Sequence, residues 1–276
     1  MNHVLEVSGL SVTYDSVNGK STVVREVEFS LSGGRLGIVG ESGSGKSTVA
    51  RALMGLLPKT AHISAKRLAF RGIDLTRMDR RSWSRIRGRQ MALILQDPRY
   101  SLNPVLKVGD QVAETYRIHL GMRRADALKR AIRGLEEVQI RDPERVVQQY
   151  PHELSGGMGQ RVMIAAMLAA EPTLLIADEP TSALDTTVAC QILTLLADLM
   201  SRREMSLIMI SHNLPLVASF CDDVLVMKAG EVVDAVPAPS LRTASHPYTR
   251  ALMAAIPDLR KPGQRLPVIE RTVACV

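Results

Sequence analysis

An α/β fold is predicted by three observations. Residues 35–39 read as a short buried strand that leads directly into a glycine-rich loop, Gly40-Glu41-Ser42-Gly43-Ser44-Gly45-Lys46-Ser47-Thr48. Beyond the loop Val49, Ala52, Leu53 and Leu56 fall at helical spacing until Pro58 stops them. Three further apolar runs, 91–95, 174–177 and 207–210, have the length and aliphatic content of core strands, and amphipathic helical stretches separate them.

The remaining elements follow in order along the chain. Alternating apolar positions at Leu10, Val12 and Tyr14, and again at Val27, Phe29 and Leu31, predict an antiparallel β subdomain at the N-terminus. From Asp97 the texture becomes helical: Leu128, Ala131, Ile132, Leu135 and Val138 recur at three and four residues, so a helical subdomain is expected over about 97–160. Residues 162–170 read as a buried helix, and Val188, Ile192, Leu195, Leu196 and Leu199 as one face of another. Two apolar runs flanking Lys228-Ala229-Gly230 predict a hairpin. The proline-containing tail from Pro237 reads as an appendage with one short helix over 248–256.

Composition narrows the function classes. The chain has 276 residues, enough for a substantial core without disulfides or a structural metal. The longest unbroken apolar run, 162–170, falls well short of the roughly 20 residues that span a bilayer. No basic segment followed by an apolar stretch opens the sequence, so a cytosolic address is expected. Cys190, Cys221 and Cys275 are far apart and match neither a disulfide framework nor a zinc site. The net charge of +7 is concentrated in residues 77–89, which hold six arginines and one acid. With aromatics at 3% and only Trp83 close by, a solvated or membrane-proximal face fits that cluster better than a nucleic-acid groove.

The loop from Gly40 to Ser47 fits G-x-x-x-x-G-K-[ST], between a strand and a helix as that motif requires. Its glycines let backbone N–H groups turn toward phosphate oxygens, and the helix N-terminus adds positive potential. Lys46 is expected to neutralise the β- and γ-phosphates, and the Ser47 hydroxyl to ligate Mg²⁺. Residues 174–177 end in Asp178-Glu179. A carboxylate at that strand end reaches the metal shell, which assigns Asp178 to Mg²⁺ and Glu179 to polarising the attacking water. The alternative is that the pair caps the following helix.

Leu154-Ser155-Gly156-Gly157-Met158-Gly159-Gln160-Arg161 resembles the signature of the ATP-binding cassette (ABC) ATPases. Other elements match that family in order: Tyr14 the adenine-stacking aromatic, Gln96 the Q-loop glutamine, Ser182-Ala183-Leu184-Asp185 the D-loop, and His212 the switch histidine. Tyr14 also reads as an ordinary core aromatic. The resemblance implies a phosphate-loop NTPase (RecA-like) cassette at 1–236 and a C-terminal extension at 237–276. It implies ATP and Mg²⁺ as cofactors and Glu179, His212 and Gln96 as catalytic residues. Nucleotide contacts then come from Tyr14, residues 40–48, Ser155, Gly156, Gly157 and Asp185, and metal contacts from Ser47, Gln96 and Asp178. In this family two cassettes pack head to tail, so the signature of one closes over the γ-phosphate held by the other.

Within the family, Gln96-Asp97-Pro98-Arg99-Tyr100-Ser101-Leu102-Asn103-Pro104, Tyr150-Pro151-His152-Glu153 and His246-Pro247-Tyr248-Thr249-Arg250-Ala251-Leu252 are similar to the dipeptide, oligopeptide and nickel importer ATPases of bacteria. Gly159 departs from the signature, where a larger residue is usual, and the tail lacks the cysteine cluster of many such ATPases. The resemblance implies an energy-coupling subunit on the cytoplasmic face of the inner membrane. Its implied partners are a second cassette, copy or paralogue, two transmembrane permease subunits and a periplasmic or extracellular substrate-binding protein. Nucleic acid is not among them. The alternative, a soluble ABC ATPase of DNA repair or translation, is disfavoured: there is one phosphate loop, and the stretch from Gln96 to Leu154 is too short for a long coiled-coil insertion.

Overall fold

The computed structural model describes residues 3–16 and 19–256; the expectations for the end of the tail, Cys275 among them, lie outside the described residues. The chain opens with β1 (Leu5–Ser16) and β2 (Gly19–Leu31), paired antiparallel from Leu5 opposite Leu31 to Ser16 opposite Gly19. Then β3 (Arg35–Gly40) enters the glycine loop, and α1 (Lys46–Leu53) leaves it. The helix is shorter than its apolar spacing suggests. Gly55, at φ +58°, lies against the Trp83 ring, and a Cβ there would come within 2.6 Å of that ring. A left-handed glycine just past the last turn therefore ends the helix before Pro58 does, and Leu56 is left exposed.

Three short strands that the alternation did not reveal come next: β4 (Ala61–Ser64), β5 (Arg67–Phe70) and β6 (Ile73–Asp74). Both β4 and β5 pair antiparallel with β1, completing a five-stranded N-terminal sheet. The arginine-rich stretch contains α2 (Arg80–Ile86), capped by Asp79. Most of its arginines face solvent, but Arg87 does not belong to a solvated face. It donates to the carbonyls of Met54 and Gly55 and lies 4.5 Å from the Trp83 ring centroid, tying this segment to the end of α1.

After β7 (Met91–Ile94) the chain is helical: α3 (Pro98–Ser101), α4 (Val108–Leu120), α5 (Arg124–Glu137) and α6 (Pro143–Val146) precede α7 (Gly156–Leu168). Ala127, Ala131 and Leu135 form the buried stripe of α5. The chain then alternates: β8 (Leu174–Asp178), α8 (Thr186–Arg203), β9 (Ser206–Ile210), α9 (Leu214–Phe220), β10 (Asp223–Lys228) and β11 (Glu231–Pro237). The hairpin of β10 and β11 is more than a hairpin, because β10 also pairs in parallel with β3. The second sheet runs β11-β10-β3-β9-β8-β7, parallel throughout except at its β11 edge.

Two cores flank this sheet, which explains its uninterrupted apolar strands. Leu174 and Ile176 of β8 face one core, shared with α1 and the N-terminal sheet, while Leu175 and Ala177 face the helical side. In β9, Ile208 and Ile210 join the first core and Leu207 and Met209 the second. A strand buried on both faces has no polar side to show. The tail is no loose appendage over its described part. Its helix α10 (Pro247–Ala254) buries Tyr248 and Leu252 in the helical-side core.

Candidate active site

Because β3, β7, β8, β9 and β10 run parallel, their carboxyl ends lie along one edge of the sheet, where α/β folds bind ligands. Gly40 comes off β3, Gln96 follows β7, Asp178 ends β8, and His212 follows β9. Two conformational demands shape the loop. Gly40 has φ +152°, and a Cβ there would meet the Met227 carbonyl oxygen at 2.1 Å; Gly45, at φ +97°, turns the chain into α1.

Lys46 is buried, and its ammonium donates to the Gly40 carbonyl at 2.9 Å, the Glu41 carbonyl at 2.6 Å and Ser44 Oγ at 3.3 Å. Burial pulls its pKa below the ordinary lysine value, while the carboxylates of Glu179, Asp178 and Glu41 push it back up. The lysine is thus folded back over its own loop and ringed by acids, with its charge available to an incoming anion. Ser47 Oγ donates to Asp178 Oδ1 at 3.0 Å across 131 residues of sequence. Burial raises the Asp178 carboxyl above its ordinary range; the Ser47 hydrogen bond opposes that shift and the Glu179 charge adds to it.

Glu179 holds the left-handed conformation at φ +50°. Its backbone N–H donates to the Ile210 carbonyl at 2.9 Å, and its Oε1 lies 3.0 Å from His212 Nδ1. A cavity of about 190 Å³ opens beside the pair, lined by Ser211 and Asn213 among others. The Asp178-Glu179 pair does not cap the next helix. Asp185 does, accepting from the Val188 N–H at 3.0 Å.

The other assigned residues lie around this edge. Ser155 caps α7 by accepting from the Met158 N–H at 3.3 Å, so the helix begins at Gly156. Gly156 and Gly157 occupy its first two positions, and a Cβ on Gly157 would approach Val188 Cγ1 to 2.8 Å, so packing of α7 on α8 also demands a glycine there. Ser155, Gly156 and Gly159 line a cavity of about 570 Å³ with Asp97, Leu102 and Leu184, and no residue of the phosphate loop contributes to it. Gln96 is exposed just beyond β7. Tyr14 is half-buried, packed against the N-terminal core, in register with Ser21 and Ala61. Sequence reasoning predicted the turn between β10 and β11 but not its reach to the site, where the Gly230 N–H donates to the Ser44 carbonyl at 3.1 Å.

A parallel sheet with a phosphate-binding loop at its carboxyl edge, a lysine ringed by acids and a hydroxyl–carboxylate pair beside it defines a phosphate-loop NTPase. The chain belongs to the ABC transporter family, whose profile matches residues 24–182. It is an ATPase that couples ATP binding and hydrolysis to transport. It is 45% identical to a probable peptide ABC transporter ATP-binding protein, y4tR, of Sinorhizobium fredii, over 98% of this chain and 82% of that one. It is 44% identical to the oligopeptide transport ATP-binding protein OppD of Salmonella typhimurium, over 96% of this chain and 79% of that one. Its fold matches that of the ATP-binding cassette MJ0796, solved as a post-hydrolysis dimer bound to ADP and Pi. The TM-score is 0.74 at 25% identity, over 85% of this chain and 98% of that one.

Proposed function

We propose that this chain is the ATP-hydrolysing subunit of a bacterial peptide importer. The observation that carries the reading is similarity to a peptide-transport ATP-binding protein across 98% of the chain, which takes in segments outside the ATPase motifs. Nickel or a metal chelate, the other cargo the subgroup suggests, has no support among the relatives named above. In this reading residues 1–236 are the cassette, with the helical insert at about 97–160, and 237–276 are the importer-type extension. The chain docks from the cytoplasmic side on two permease subunits, with a substrate-binding protein on the far side. Among the described residues no helix is long and apolar enough to cross a membrane, which is consistent with the pore belonging to other chains.

Residues 40–48 hold the triphosphate and Tyr14 stacks on adenine. Glu179 takes the proton of the attacking water, with His212 and Gln96 orienting that water at the γ-phosphate. Ser155, Gly156, Gly157 and Asp185 act on the nucleotide of a second cassette. Ser47 and Asp178 fit Mg²⁺: they offer an all-oxygen donor pair, and burial disfavours the charged Asp178 carboxylate, a penalty that a cation beside it would offset. Ser47 and Asp178 would hold the ion where it would neutralise charge on the phosphate oxygens. Uptake of labelled peptides and of nickel in a deletion strain tests the cargo; loss of peptide uptake alone supports the proposal, and loss of nickel uptake alone overturns it. Copurification with membrane subunits is expected, whereas a soluble complex with DNA or ribosomes favours the repair or translation reading.

A further inference from the structure

The tail helix α10 lies outside every motif assigned to nucleotide chemistry, yet it reaches the phosphate loop. Tyr248 Oη donates to Glu41 Oε1 at 3.0 Å, a contact that spans 207 residues of sequence. The tyrosine is buried, and Lys228 Nζ of β10 stands 4.9 Å from its ring centroid. Burial, reinforced by the hydrogen bond to the Glu41 carboxylate, raises the phenol well above its usual pKa, so it remains a donor at any working pH.

The residue it holds is central to the loop. The main-chain carbonyl of Glu41 accepts from Lys46 Nζ at 2.6 Å and from the Ser44 N–H at 3.2 Å, so it closes the loop's first turn and receives the lysine. Its carboxylate is also one of the three acids acting on the Lys46 charge. A carboxylate released from its anchor could swing toward the space where a triphosphate must sit and oppose it electrostatically. Docking of α10 has other support. Tyr248 and Leu252 supply the buried apolar surface, and the fully buried Thr249 donates to Asp234 Oδ2 at 2.6 Å. A phenylalanine would keep the ring packing of Tyr248, so the hydroxyl is spent on Glu41.

We infer that Tyr248 is a positioning residue for ATP binding: its hydroxyl holds the Glu41 carboxylate aside and so fixes the Glu41 carbonyl that shapes the phosphate loop around Lys46. The inference rests on the reading of residues 40–48 as the triphosphate site, and the experiment separates the two. ATP affinity is measured by titration calorimetry, with thermal melts and steady-state hydrolysis, on the full chain carrying Tyr248→Phe, Thr249→Val, Glu41→Ala, Tyr248→Phe with Glu41→Ala, or Lys46→Ala. Tyr248→Phe should raise the Kd for ATP about fivefold, equal to about 1 kcal/mol. KM should rise in step, with kcat within about twofold of wild type. In the Glu41→Ala background the same substitution should change Kd by less than about twofold, because its target is gone. Thr249→Val should lower the melting temperature and leave Kd unchanged, so that weaker ATP binding in Tyr248→Phe is not explained by looser docking of α10. Wild-type Kd in Tyr248→Phe alongside lost binding in Lys46→Ala overturns the positioning role and leaves the triphosphate site standing. Equal Kd changes in Thr249→Val and Tyr248→Phe, or an undiminished effect without Glu41, overturn it too. Normal ATP affinity in Lys46→Ala removes the triphosphate reading and the inference with it.

Discussion

Replacing Glu179 with glutamine tests the chemistry of the site without disturbing its shape. The glutamate is held from both ends: its backbone N–H donates to the Ile210 carbonyl at 2.9 Å, and its carboxylate meets His212 Nδ1 at 3.0 Å. Glutamine has the same length and retains a hydrogen-bonding group for the histidine, so the left-handed backbone at φ +50° and the adjoining cavity of about 190 Å³ should persist. That cavity is ample for a water molecule, which needs about 10–15 Å³ of such space. What glutamine lacks is basicity. General-base catalysis contributes about 10²–10⁴ in rate, so kcat should fall by that factor, or about 2.7–5.4 kcal/mol in activation free energy. ATP binding should survive, because the variant removes a negative charge near the triphosphate and no donor to it; Kd should stay within about threefold. Phosphate release at saturating Mg²⁺–ATP and calorimetric titration of the same preparation read the two quantities. Turnover within about twofold of wild type would refute the assignment of Glu179 as the base.

Two further outcomes follow from packing and burial. Gly159 lies in the first turns of α7 with its missing Cβ 3.5 Å from Pro98 Cγ, an ordinary contact distance, so Gly159→Ala should stabilise the chain by about 0.5–1 kcal/mol in urea unfolding through helix propensity and reduced unfolded-state freedom; destabilisation would mean the position needs glycine for a reason beyond space. His119, packed against Gly88, is held below its ordinary pKa of 6.5 by burial and secondarily by Arg89. Below about pH 6.5 the unfolded chain takes up a proton that the folded chain resists, so stability is lost as pH falls through that window. His119→Gln should remove this component, and the melting-temperature advantage of wild type over the variant should shrink from pH 7.5 to pH 5; a constant difference would contradict the burial effect.

The elements legible in the sequence were those whose physics is local. The runs that became β8 and β9 were plain because both faces of each strand are buried, leaving a continuous aliphatic stretch. The phosphate loop was plain because its glycines, lysine and hydroxyl are contiguous. By contrast β4 carries only half-buried or exposed residues and exists because β1 offers it a ladder, a partnership with no trace in its own pattern. Leu56 fitted a helical period, but the packing of Trp83 on Gly55 decided where α1 stops. Arg87 looked like one more member of a charge run, and only the fold supplied the two carbonyls it holds. The same limit applied at the site: Gly230 and Tyr248 reach the loop from beyond β10, and no spacing rule links them to residues 40–48.

This division between local and distant signals also bears on why one chain carries residues for two sites. The carboxyl edge of the sheet gathers Lys46, the Ser47–Asp178 pair and the Glu179–His212 pair, with both carboxylates acting electrostatically on the lysine. Ser155 and Gly156 line a separate cavity with the segment after Gln96 and with Leu184 of the D-loop, to which no phosphate-loop residue contributes. A helix start capped by serine and led by two glycines is built to meet an anion, yet the anion site of its own chain is elsewhere. The proposed pairing with a second cassette, turned head to tail, would resolve the mismatch: each chain would lend its α7 start to the other's triphosphate, and ATP would become part of the interface. On that geometry the tail helix, anchored through Tyr248 to Glu41, lies on the side of the site assigned to the phosphates, so loss of the Tyr248–Glu41 contact would reach ATP affinity before it reached the partner's signature.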